Sequence, residues 1–262
     1  MFIRRLVKMN EDYVVELIKK GIRLDNRKME EYRKPIVVEL GISKNADGSA
    51  RARIGETEVI VGIKLAVDKP YPDTPDQGSI IVGAELLPLS NPEFESGPPD
   101  EQAIELARVI DRGIRESKAI DLKKLCIREG ELCWIVFIDA YTINDAGNLI
   151  DTTALAAVTA LKHAKMPKLE NDKVVYGEYT KEKLPLQKTP VTITMTKIGN
   201  NIIVDPGLEE EKVMDARLSV SIYNNKIHAM QKGGEKGLKL EEVDKMISIA
   251  MSKVKELEDS IK

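Results

Sequence analysis

The chain has 262 residues, 42% of them apolar and 32% charged, with 40 Lys and Arg against 43 Asp and Glu. That length supports a hydrophobic core without disulfide or metal staples, and apolar runs such as Trp134 to Ile138 stop far short of the ~20 residues that span a bilayer. A net charge of −3 argues against a free-standing nucleic-acid binder, so any contact with nucleic acid must come from a local patch.

In chain order, the charged stretch Met1 to Lys8 lacks the apolar centre of a secretory signal, and cytoplasm is the expected compartment. Val14, Leu17 and Ile18 predict a helix over Glu11 to Lys20, stopped by Gly21. Pro35 to Leu40 and Ala50 to Ile54 read as a hairpin across a polar turn, with further strands over Glu58 to Leu65 and Ser79 to Leu87. Three prolines between Asp68 and Pro75 require a loop. A helix is predicted from Asp100 to Ser117, a strand from Leu132 to Asn144, and an Ala-rich helix from Thr152 to Lys165. Pro167 to Pro190 is polar and reads as irregular, which makes 167–190 a connecting segment between halves 1–166 and 191–262. Strands are then expected over Val191 to Ile198, Asn201 to Val204, Ala216 to Tyr223 and Lys226 to Met230, and a closing helix carries an apolar stripe from Leu240 to Ile261. Strands followed by helices, twice over, predict a mixed α/β fold of two similar halves.

Chemistry-bearing residues are sparse. Cys126 and Cys133 lie in one apolar stretch and read as ordinary thiols, while two histidines in unlike segments give no zinc site or triad. On the Asp100–Ser117 helix, Arg108, Arg112 and Arg115 fall within about 60° of one another, opposite a face of Leu106, Ile110 and Ile114. Three outward guanidinium forks have the spacing to follow a phosphate backbone; equally, Glu105 with Arg108 and Arg112 with Glu116 would make ordinary helix ion pairs. Asp205, Glu209, Glu210, Glu211 and Asp215 form an acidic run that reads either as a solvated loop or as a cation site. The turn Asp145 to Asn148 leads into a helix, but with one glycine and no basic residue it is a poor phosphate cradle.

Several stretches together resemble RNase PH-like proteins: Gly21 to Lys28, Ala46 to Ala50, and Ile54 to Val59. Phe94 to Glu101, Asp111 to Ser117 and Ile203 to Pro206 are similar to the non-catalytic RNase PH-like subunit of the archaeal exosome ring. The resemblance implies an RNase PH-like fold of two βαβα-type halves. It also implies a hexameric ring of three heterodimers with a catalytic RNase PH-like partner, topped by RNA-binding cap subunits, that degrades RNA from its 3′ end by phosphorolysis. Where active members carry Gly-Gly-Thr-Arg for phosphate, this chain reads Gly147-Asn148-Leu149-Ile150, and where they place two aspartates, it has Glu211 and Arg217. The resemblance thus implies no catalytic residue, metal or cofactor in this chain, and RNA contact through Arg108, Arg112 and Arg115. The alternative is an active phosphate-dependent 3′-to-5′ exoribonuclease in its own right.

Overall fold

In the computed structural model, which describes residues 2–261, the chain opens on helix α1 (Phe2–Lys19). This helix begins well before the expected Glu11. Strands β1 (Ile36–Leu40), β2 (Gly48–Ile54), β3 (Thr57–Asp68) and β4 (Ser79–Glu85) follow. Next come helix α2 (Glu101–Glu116), a single 3₁₀ turn, β5 (Cys126–Arg128), β6 (Leu132–Asn144) and helix α3 (Leu149–His163).

The segment expected to be irregular is instead a hairpin of β7 (Lys165–Glu170) and β8 (Lys173–Lys183), turned by Asn171 and Asp172 with positive φ. Asn and Asp tolerate that conformation and match the twist of a two-residue hairpin turn. The second half holds β9 (Val191–Ile198), β10 (Asn201–Val204), a short helix α4 (Leu208–Lys212), β11 (Ala216–Tyr223), β12 (Lys226–Gly233) and helix α5 (Leu240–Glu258).

The first sheet runs β1-β2-β3-β6-β4, with β5 also on β6; β4 is parallel to β6 and the other pairs are antiparallel. The second is antiparallel, in the order β10-β9-β11-β12. Strict alternation along β3 buries Val59, Val61, Ile63 and Leu65, and α3 packs on the strand. Helix α3 is buried from Ile150 to Leu161 because it touches β2 and β3 on one side and β9 on the other. Where α3 approaches β2 most closely only small side chains fit: a Cβ on Gly48 would lie 2.6 Å from the Ala160 carbonyl oxygen. The outer face of the second sheet is covered by α5, which buries Met246, Ile249, Ala250, Val254 and Leu257. Leu240, expected in that stripe, is exposed.

A buried polar network joins the halves. Asp205 is fully buried and accepts from Arg33, Arg27 and Asn148, and Arg33 holds its carboxyl below the usual range despite burial. Tyr32 and the Thr194 amide both donate to Asp151 in α3 at 2.8 and 3.0 Å, yet burial still pushes that carboxyl up to about 6.

Candidate functional site

Helix α2 starts at Asp100, whose carboxylate caps the Ala103 amide at 2.8 Å. Its buried face is Ala103, Leu106, Val109, Ile110, Gly113 and Ile114, which leaves Arg108, Arg112 and Arg115 exposed together on the opposite side. The two expected ion pairs do not form. Glu105 turns instead to Arg217 at 2.8 Å, and among the described residues neither Arg108 nor Arg112 has a carboxylate partner. Arg115 differs: it holds Asp111 through Nε at 2.9 Å and Nη2 at 2.6 Å, and donates to the Ile80 carbonyl in β4. The stripe therefore offers two uncommitted guanidinium forks and one that is partly neutralised.

Behind α2 lies a pocket of about 330 Å³ between the N-terminus of α3, α4 and the start of β11. Four carboxylates line it, Glu93, Glu105, Asp145 and Glu211, against two cations, Lys212 and Arg217. Both cations are engaged: Lys212 lies 3.1 Å from Glu93 and 3.6 Å from Glu209, and Arg217 holds Glu105. Arg217 lies flat over Gly233, where a Cβ would be 2.7 Å from Nη2. Glycine is needed there to let the guanidinium pass.

Glu211 accepts the Asn148 backbone N–H at 2.9 Å. A helix N-terminus is a natural seat for an anion, and here the protein's own carboxylate takes it. Burial pushes the Glu211 carboxyl up to about 7, aided by nearby Asp145 and opposed by the Asn148 amide and Arg217. The turn before α3 is also closed from outside, since a Cβ on Gly147 would meet the Pro206 to Leu208 backbone at 2.6 Å. Ile150, buried in the first turn of α3, adds an apolar wall. Carboxyl groups outnumber cations in the pocket and each cation already holds a carboxylate, although the buried Nε of Arg217 has no partner among the described residues.

The acidic run does not converge on a cation. Asp205 pairs with Arg33 and Arg27, Glu210 with Arg23, Glu209 with Asn10, and Asp215 with Lys236. Among the described residues no three His, Cys, Asp or Glu side chains form a metal-binding group. The pairing of Glu105 with Arg217 was missed in the sequence, because local spacing had assigned Glu105 to Arg108. Cys126 and Cys133 face each other across β5 and β6 as free thiols.

Two family signatures match the chain: domain 1 of the 3′ exoribonuclease family over residues 32–167 and domain 2 over residues 188–253. The exosome complex component Rrp42 of Pyrococcus horikoshii is 47% identical over 250 residues, covering 94% of this chain and 91% of that protein. Its counterpart in Methanopyrus kandleri is 43% identical over 260 residues, covering 98% and 97%. Among solved structures, a chain of the Archaeoglobus fulgidus exosome with RNA bound to the active site superposes with a TM-score of 0.89 at 42% identity, covering 98% of this chain and 99% of that one. No helix among the described residues is long and apolar enough to cross a membrane.

Proposed function

The chain belongs to the RNase PH family of 3′ exoribonucleases, and from that premise we propose that it is a non-catalytic, RNA-binding subunit of an archaeal exosome ring. The observation that carries the reading is the bond from the Asn148 amide to Glu211. Phosphorolysis needs inorganic phosphate held beside the scissile linkage, and in this chain the Glu211 carboxyl fills the anion seat while Arg217 is paired with Glu105. Chemistry is then supplied by a catalytic RNase PH-like partner, in a ring of three heterodimers carrying RNA-binding cap subunits, in the cytoplasm. Arg108 and Arg112 hold the RNA, with Arg115 contributing less because Asp111 already shares its charge. The naming of relatives as exosome components, and the RNA-bound exosome among the structural neighbours, support this assignment.

Co-expression with the catalytic subunit tests the assembly. Native mass measurement should give three pairs. A heterodimer that never closes, or no association, would contradict it.

A further inference from the structure

Away from both regions, the β7–β8 hairpin brings cations and aromatic rings into one connected row. Lys64 Nζ in β3 sits 5.0 Å from the centre of the Tyr176 ring, and Lys165 Nζ sits 5.7 Å from that of Tyr179. Asp47 links the two pairs from beneath: it accepts from Lys64 at 3.2 Å and from the Tyr179 hydroxyl at 3.3 Å, and its main-chain oxygen accepts the Lys165 amide. Lys165 also stands directly opposite Lys183 in the strand register.

Two features leave this row open to an anionic ligand with flat rings. Like charges facing each other across a strand pair repel, and among the described residues neither Lys165 nor Lys183 has a carboxylate partner. The Tyr176 ring is 76% exposed, with only a lysine above it. The anionic member of the row is not displayed, since Asp47 is buried and also accepts the Leu65 amide. Glu170 and Glu178 on the same hairpin are held by Lys168. Rings that offer a face to bases, alternating with ammonium groups that take phosphates, are the recognition chemistry of an unpaired nucleic-acid strand.

We propose that the β7–β8 hairpin and the adjoining part of β3 form a second docking surface for single-stranded RNA, with Tyr176 as a base platform and Lys165 and Lys183 as phosphate contacts. The inference takes RNA as the ligand from the function proposed above. It places the RNA on a surface separate from the arginine stripe, so the two can fail independently. An acidic protein segment would use the lysines but would leave Tyr176 idle.

The test uses the isolated full-length chain and a short fluorescein-labelled oligouridylate, read by anisotropy across a salt series. Tyr176→Ala should weaken binding roughly tenfold while Tyr176→Phe retains it, as loss of one stacked base implies. Lys165→Glu with Lys183→Glu should flatten the dependence of log K on log salt by about 1.4, or about 0.7 for each phosphate contact. All three positions are exposed or half-exposed, and unchanged thermal unfolding will verify the fold. The same losses should appear when Arg108, Arg112 and Arg115 are already replaced with Glu. Hairpin variants that bind like the parent overturn the inference, and do so while leaving the stripe intact if the stripe variant alone loses affinity. Tyr176→Ala as harmless as Tyr176→Phe, with polyglutamate competing in a lysine-dependent way, overturns it in favour of an acidic protein partner.

Discussion

Arg33 and Arg112 carry the same guanidinium in opposite settings. Arg33 spends its donors on Asp205, Thr57 and the Ala146 and Gly147 carbonyls, at the buried junction of the two halves. Arg112 projects from the outer face of α2 with no carboxylate in reach among the described residues. Arg217 stands between them: it lines the pocket and spends Nη2 on Glu105, while its buried Nε has no partner among the described residues. A guanidinium is available to an external phosphate only where the protein has not already used its donors, so counting arginines near a cleft says little about anion binding.

The largest expected effect separates the two extremes by stability. Arg33→Ala removes the main cation partner of the buried Asp205 carboxylate, leaving Arg27 and Asn148, and should cost about 2–4 kcal/mol in denaturant unfolding, whereas Arg112→Ala should stay within about 0.5 kcal/mol. Similar losses from the two variants would break the comparison.

A second expectation concerns pH. The Glu211 carboxyl is raised from 4.5 to about 7, so its contribution to stability is full below about 4.5 and is lost as pH rises through about 7. Glu211→Gln keeps an acceptor for the Asn148 amide and removes that loss. It should match the parent near pH 4 and be about 1–3 kcal/mol more stable near pH 8, as read from urea midpoints at the two pH values. A variant less stable than the parent at the higher pH would show that the carboxylate charge is held favourably there.

Smaller effects fall on the stripe. Replacing Arg108, Arg112 and Arg115 together with Glu should leave ring assembly intact and flatten the salt dependence of RNA binding by roughly 1.4–2.1, with a degradation defect that shrinks as RNA concentration rises. Unchanged affinity and slope would make the stripe a solvated helix face. The finest discrimination is between single variants. Arg112→Ala should remove about 0.7 from the slope and Arg115→Ala less, because Asp111 already shares the Arg115 charge. Equal changes would mean that RNA displaces Asp111.

Much of this was legible in the sequence, for physical reasons that differ by element. Strand β3 and helix α2 each bury one face and so carry a clean period, and the outward side of α2 followed from that period alone. The β7–β8 hairpin has no such face: β8 interleaves Lys and Glu with Val and Tyr and is exposed along most of its length. Its Asn171-Asp172 turn was the one available sign. Helix α4 read as an acidic loop because it is only five residues long and three of them are glutamates. Ile150 in place of a phosphate arginine, and Arg217 in place of an aspartate, were implied by resemblance alone. The seat of the Glu211 carboxylate on the Asn148 amide was not, since it depends on how two halves far apart in sequence dock.

The central claim is that this chain has filled its own anion seat and performs no phosphorolysis. The most direct measurement is phosphate-dependent release of nucleoside diphosphates from RNA by the purified chain, demonstrably free of its partner. The account predicts no release alone and release once the catalytic subunit is added. Sustained turnover by the partner-free chain, rising with phosphate concentration, would contradict it and establish the chain as an exoribonuclease in its own right.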